Sequence, residues 1–230
     1  MKNNFIKVFA RFYRVSAKSH LEVSSELVEI LIGLMLGDLH AERKNLNSNT
    51  RLQFKQSDKN KDYIDHLYNL FMEFCGSAPK ITTWFDNRPN RNKLYGSIKF
   101  STFSLPCFNV FRDMFYDLSC VKYIPDNLEE FLTARSLAYW LMDDGYQSVS
   151  GFYFCTDSYS LEDIHKLANI LRNKFDLECG VHKHTNGHRL YIFSSSKDKL
   201  LQLIKPYLLP HFYYKFSGLL DSQNLDSPRD

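Results

Sequence analysis

Apolar positions along this chain alternate between two rhythms, and the same succession of rhythms occurs twice. From Ser24 the stretch "SSELVEILIGLMLGD" is apolar at helical spacing, with Ser24 suited to an N-cap and Glu26 placed where it favours the positive end of a helix dipole. "RLQFKQ" then alternates. Leu52 and Phe54 face one way while Arg51, Gln53 and Lys55 face the other, as in a strand with one buried side. Helical spacing returns at Ile64, Leu67, Leu70, Phe71 and Phe74. The second round begins with a helix from Thr133 through "LAYWLMDDGY", and Ile164, Leu167, Ile170 and Leu171 mark its later helix. Between the last strands, "VHKHTNGHRLYIF" predicts a two-residue hairpin at Asn186-Gly187.

The two rounds align residue by residue. "LIGLMLGDLH" and "LAYWLMDDGY" both begin with leucine and both have an acid at their eighth position, Asp38 and Asp144. Downstream, "FKQSDKNKDYIDHLYNLF" lies over "FCTDSYSLEDIHKLANIL", matching Phe54 with Phe154, Asp62 with Glu162, Ile64 with Ile164 and Leu67 with Leu167. A third block, "KFSTFSLPCFNVF" over "IFSSSKDKLLQLI", continues the series in the same order and places Lys122 over Lys215. Shared order with only loop-sized drift indicates two copies of one unit. The expected fold is α+β, with one antiparallel sheet per repeat and helices on one face of each. The expected divisions are an N-terminal arm at 1–20, repeats at 21–122 and 123–216, and a tail at 217–230.

Composition narrows the setting. A chain of 230 residues with 44% hydrophobic residues can bury a full core. No apolar run approaches the ~20 residues that cross a bilayer, so no membrane association is expected. Five cysteines without a C-x-x-C pair argue for free thiols in a reducing, intracellular compartment. The net charge of +3 is local: Lys2, Lys7, Arg11, Arg14 and Lys18 fall within residues 1–20, which hold no acid. That segment suits an organelle-targeting sequence, a phosphate-touching arm or a solvated terminus.

The paired acids carry the chemistry. Gly33, Gly37 and Ala138 offer small residues for contact between the two motif helices, although Tyr139 limits closeness at its level. Helices so packed would bring Asp38 and Asp144 together at two negative helix ends, where a compensating cation is needed. Oxygen-only ligands suit Mg²⁺, with phosphate oxygens completing its shell. Asp143, opposite Gly37, is read as a helix-end or supporting group.

These motifs resemble the two copies in a single-chain LAGLIDADG homing endonuclease, of the intron-encoded group typified by the mitochondrial omega-intron enzyme. The likeness runs over about residues 24–216 and includes "KYIPDNL" and "IKPYLLPHFYYK". It implies two pseudo-symmetric αββαββα repeats whose sheets bind double-stranded DNA in the major groove. It also implies Mg²⁺-dependent cleavage of both strands to leave 3′ overhangs, with Ca²⁺ supporting binding alone. On this resemblance Asp38 and Asp144 bind metal, and Lys122 and Lys215 act beside the scissile phosphates. Leu39 departs from the pattern, since glycine usually follows the acid. A monomer in a mitochondrion or chloroplast is expected.

Recognition is assigned to outward strand faces and loops: Arg51, Gln53, Lys55, Arg88, Arg91 and Lys93 in the first repeat, and Tyr153, His182, His184, Arg189 and Tyr191 in the second. The histidines of "HKHTNGH" tempt a zinc assignment, but hairpin pairing sends His188 to the opposite face from His182 and His184. Trp84 and Trp140 are read as core. Two alternatives use the same fold: an intron maturase binding intron RNA, and an inactive DNA-binding regulator. Retention of both acids and both lysines weighs against the second.

Overall fold

The computed structural model of the chain describes residues 18–45, 47–88 and 92–216. Its elements repeat in order. The first series is α1 (Ser25–Leu36), β1 (His40–Glu42), β2 (Arg51–Ser57), α2 (Lys61–Phe71), β3 (Lys80–Asp86), β4 (Lys93–Ser101) and α3 (Asn109–Phe115). After the short α4 (Leu128–Phe131), the second series is α5 (Ala134–Asp144), β5 (Gly145–Gln147), β6 (Phe152–Phe154), α6 (Leu161–Phe175), β7 (Cys179–His184), β8 (Gly187–Ile192) and α7 (Lys197–Ile204). Both series read αββαββα. Their antiparallel sheets share one strand order, β1-β2-β4-β3 and β5-β6-β8-β7.

Local sequence accounts for the helix starts. Ser24 Oγ accepts the Leu27 N–H at 3.3 Å, capping α1 as the sequence predicts. Thr133 and Ser136 form a capping box on α5, each side chain accepting the other's backbone N–H. Asp176 closes α6 in the left-handed region at φ 51°, its N–H bonded to Arg172 O.

The chain forms two compact units, which cut across the sequence repeats. Of the described residues, one unit takes those up to Leu27 and those within Asp38–Met114, and the other takes Val28–Gly37 and those from Phe115 to Phe216. In the first, Leu52, Phe54 and Phe100 turn one sheet face inward, with Phe54 and Phe100 stacked at 4.3 Å and Phe71 of α2 5.1 Å from Phe54. In the second, Phe152, Phe154, Leu190 and Ile192 do the same, and Phe154 stacks on Trp140 at 4.1 Å. The aligned pairs Phe54 and Phe154, Ile64 and Ile164, and Leu67 and Leu167 are all buried.

Two expectations need correction. The last hairpin turns at Thr185-Asn186, because His184 pairs with Gly187; the turn lies one residue earlier than predicted. Gly187 instead opens β8 at φ 155°, a conformation open to glycine, with its backbone close to Asp157. Trp140 is fully buried as expected, but Trp84 is 47% exposed. Register puts Trp84 on the outward face of edge strand β3, opposite Tyr95, on which it stacks at 6.0 Å. Among the described residues, no helix is long and apolar enough to cross a membrane.

Candidate functional site

Within the second unit the motif helices meet at glycines. A β-carbon added to Gly33 would fall 2.2 Å from Ser136 O, and one added to Gly37 would fall 2.5 Å from the Asp143 carboxylate. The facing residue at Gly33 is therefore Ser136 rather than Ala138, and Tyr139 is buried without holding the helices apart. Hydrogen bonds reinforce the contact: Ser136 Oγ donates to Glu29 O at 2.8 Å, and Thr133 Oγ1 to Glu29 Oε2 at 2.8 Å.

The C-terminal ends of both helices attract lysine. The last carbonyls of a helix lack partners within it and carry the negative end of its dipole, so an ammonium satisfies both needs. Lys122 Nζ donates to Gly37 O at 2.9 Å. Lys215 Nζ donates to Leu141 O at 3.0 Å and Met142 O at 2.8 Å. Lys122 follows a tight turn closed by Asp117, and its ammonium lies 5.9 Å from the Tyr116 ring. Lys215 belongs to the 3-10 segment Pro210–Phe216, buried, with its ammonium 5.1 Å from the Phe212 ring. Tyr159 donates its hydroxyl to Leu36 O at 3.0 Å, and burial pushes that hydroxyl's pKa up so that it stays a donor. The lysines aligned by sequence thus hold equivalent helix ends, whereas Tyr159 was not foreseen.

Asp144 lines an open cleft of about 580 Å³ with Asp143, Tyr146, Gln147, Cys155, Tyr214 and Lys215. Burial pushes the Cys155 thiol up, which keeps it neutral. In the first unit, exposed Asp38 accepts from Gln56 Nε2 at 2.7 Å, and Gln56 Oε1 accepts from Asn60 Nδ2 at 3.0 Å. This chain orients the carboxylate. Gln56 breaks the polar and apolar alternation of β2, the one sequence signal that could have marked it. Among the described residues, no three His, Cys, Asp or Glu side chains cluster into a metal cage. The donors offered are carboxylate oxygens, which fit a hard, partly hydrated cation such as Mg²⁺ and not a caged zinc ion.

The outer face of the first sheet carries Gln53 and Lys55, as predicted, together with Lys80, Lys99, Tyr95 and Lys93, the last expected in a loop but found at the start of β4. Strand pairing sets Lys55 opposite Lys99, Lys99 opposite Lys80, and Trp84 opposite Tyr95. Lys93 Nζ lies 5.8 Å from the Tyr95 ring. The predicted arginines are held by acids: Arg51 Nε lies 2.5 Å from Glu42 Oε2, and Arg88 makes bonds of 2.8 and 2.6 Å to Asp86. Arg91 lies outside the described residues.

On the second sheet, Tyr146 pairs with Tyr153, Tyr153 with Tyr191, and His182 with Arg189. Their rings form a continuous stripe. Centroids are 5.4 Å apart for Tyr146 and Tyr153, 4.5 Å for Tyr153 and Tyr191, and 4.6 Å for Tyr191 and His182. Tyr153 Oη lies 3.0 Å from His182 Nδ1. His184 is exposed near the hairpin tip, and His188 pairs with Lys183 on the other face. Arg189 is clamped by Asp157 at 2.6 to 3.1 Å and donates to Tyr146 Oη at 2.8 Å. Its guanidinium holds the Asp157 carboxyl below the usual carboxylate range.

Doubled αββαββα order, glycine-packed motif helices and an acid closing each motif define a single-chain LAGLIDADG protein. The model of the LAGLIDADG DNA endonuclease family matches residues 28–200, and the chain belongs to that family. It is similar to cytochrome b mRNA maturase bI2 of Debaryomyces hansenii, with 29% identity over 203 residues, 86% of this chain and 76% of that protein. Similarity to the probable intron-encoded endonuclease 1 of Wickerhamomyces canadensis is 30% over 194 residues, 81% of this chain and 82% of that one. Among solved structures, the homing endonuclease I-WcaI bound to its DNA recognition sequence aligns with a TM-score of 0.79 and 28% identity. That alignment covers 86% of this chain and 88% of that one.

Proposed function

We propose that this protein is a monomeric, site-specific endonuclease that cleaves both strands of a long DNA target in a Mg²⁺-dependent reaction and leaves 3′ overhangs. The observation that carries this reading is the doubled pairing of acid and lysine. Each motif ends in an acid, Asp38 or Asp144, and each motif helix end is held by a lysine, Lys122 or Lys215. Family membership and the DNA-bound relative support the same reading. A single chain carrying both repeats supports the monomer.

Asp38 and Asp144 would each serve as a metal ligand, with Gln56 orienting the Asp38 carboxylate. When bound, the metal supplies positive charge to the attacking and leaving oxygens. Lys122 and Lys215 would polarise the phosphate or its hydrating waters, and anchorage to main-chain carbonyls limits the reorganisation this requires. Outer sheet faces would bind the duplex, through Gln53, Lys55 and Lys93 in one half and Tyr153, His182, His184 and Tyr191 in the other. Arg51, Arg88 and Arg189 would act as pre-oriented groups. Free thiols and relatives named as intron-encoded endonuclease and mRNA maturase support a mitochondrion or chloroplast as compartment.

Selection of cleavable sites from a randomised duplex library in Mg²⁺, beside binding selection in Ca²⁺, tests the proposal. Discrete cuts in Mg²⁺ and binding without cuts in Ca²⁺ are expected. The relative named as a maturase favours a second reading, binding of intron RNA. No cutting in either ion, with tight retention of intron RNA, would replace the first reading with the second.

A further inference from the structure

The two sheets carry different chemistry on the faces turned away from their helices. On the first, Lys55, Lys99 and Lys80 stand directly opposite one another across three adjacent strands, and Lys93 follows further along β4. All four are exposed, and among the described residues no ion pair joins any of them to a carboxylate. Like charges directly opposite across strands are destabilising. A regularly spaced polyanion such as a phosphate backbone supplies the missing counter-charge.

On the second sheet the corresponding face carries no lysine. Pairing through Tyr146, Tyr153, Tyr191 and Gly180, and through His182 and Arg189, leaves Lys183 on the opposite side. Arg189, the fixed cation on this face, is already neutralised by Asp157. What remains is an aromatic stripe with hydroxyl and imidazole groups, stacked and hydrogen-bonded within itself. Rigid rings and hydroxyls suit base edges and thymine methyl groups and contribute little to phosphate neutralisation.

Resting on the nuclease reading, we propose that the halves divide the work of recognition. The first sheet neutralises phosphate and provides the salt-dependent part of affinity, and the second sheet discriminates bases through apolar and hydroxyl contacts.

The test compares two sets of variants in Ca²⁺, on the duplex recovered by site selection and on a random duplex of equal length. Each phosphate contact contributes about 0.9 to the slope of log K against log salt. The combined K55A, K80A and K99A variant is therefore expected to reduce that slope by roughly 2 to 3. Its affinity for both duplexes should fall alike, so the specificity ratio holds. Thermal unfolding of this variant should match or exceed the wild type, since like charges have been removed. The combined Y153F and H182A variant should leave the slope within about 0.5. Its specificity ratio should fall roughly tenfold, with base preference lost in one half-site. An unchanged slope in the lysine variant, or an equal loss of slope in the tyrosine and histidine variant, overturns the division. Failure of the wild type to bind any duplex removes the nuclease reading as well, a result visible before any variant is made.

Discussion

Replacing each motif-end lysine by methionine tests whether the structure has assigned them correctly. Methionine keeps most of the side-chain volume and removes the ammonium. In the Lys215→Met variant, bonds to Leu141 O and Met142 O disappear, in a site where Lys215 is only 8% exposed. Leu141 O still accepts from the Gly145 N–H, whereas Met142 O loses its ammonium partner. A hydrogen bond from a charged donor contributes about 1.5 to 3 kcal/mol, and leaving a buried acceptor unpaired is costly. Relief from keeping an ammonium out of water offsets part of this, so a net loss of about 2 kcal/mol is expected. Lys122 is half-buried and donates to the Gly37 carbonyl, which water can reach, so Lys122→Met should lose about 0.5 to 1 kcal/mol. At about 2 to 4 °C per kcal/mol for a chain of this size, Tm should fall by roughly 4 to 8 °C for Lys215→Met and roughly 1 to 4 °C for Lys122→Met. Calorimetry on the two purified variants reads the difference. Equal losses, or a larger one for Lys122→Met, would refute the claim that helix-end bonding distinguishes these lysines.

Further outcomes follow from the same geometry. Gly33→Ala and Gly37→Ala should each cost about 2 to 3 kcal/mol by urea unfolding, because the new methyl meets the Ser136 backbone in the first and, in the second, the Asp143 β-carbon at 2.7 Å, which side-chain rotation cannot move. Asp38→Asn and Asp144→Asn should each keep DNA affinity in gel-shift titration and lose cleavage; wild-type cutting by either variant would sink the metal assignment. Gln56→Ala should slow single-turnover cleavage with DNA affinity unchanged, since it frees the Asp38 carboxylate from its donor. Arg189 lowers the Asp157 pKa, so this pair stabilises the fold above the unfolded carboxylate pKa of about 4 and ceases to do so as pH falls through the lowered folded value. Asp157→Asn should accordingly be less stable than wild type at neutral pH, and the difference should vanish as pH falls through the lowered folded value.

Short-range information in the sequence determined the repeat, the α+β class and the alignment of Asp38 with Asp144 and of Lys122 with Lys215. Helical and alternating periods depend on neighbours within a few residues, and two copies of one pattern reinforce each other. The burial of Phe54 and Phe154, and of Ile64 and Ile164, follows from that pattern alone. Tertiary structure decided the rest. Lys55, Lys99 and Lys80 become a row only through strand pairing between segments far apart in sequence, and no local period encodes that register. The exposure of Trp84 depends on which face of its edge strand the register turns outward, not on the residue itself. Gln56 reaches Asp38, and Glu42, Asp86 and Asp157 engage Arg51, Arg88 and Arg189, because folding places their side chains within bonding distance. Charge type was legible in the sequence, but pairing of those charges is a property of distance, which only the folded chain determines.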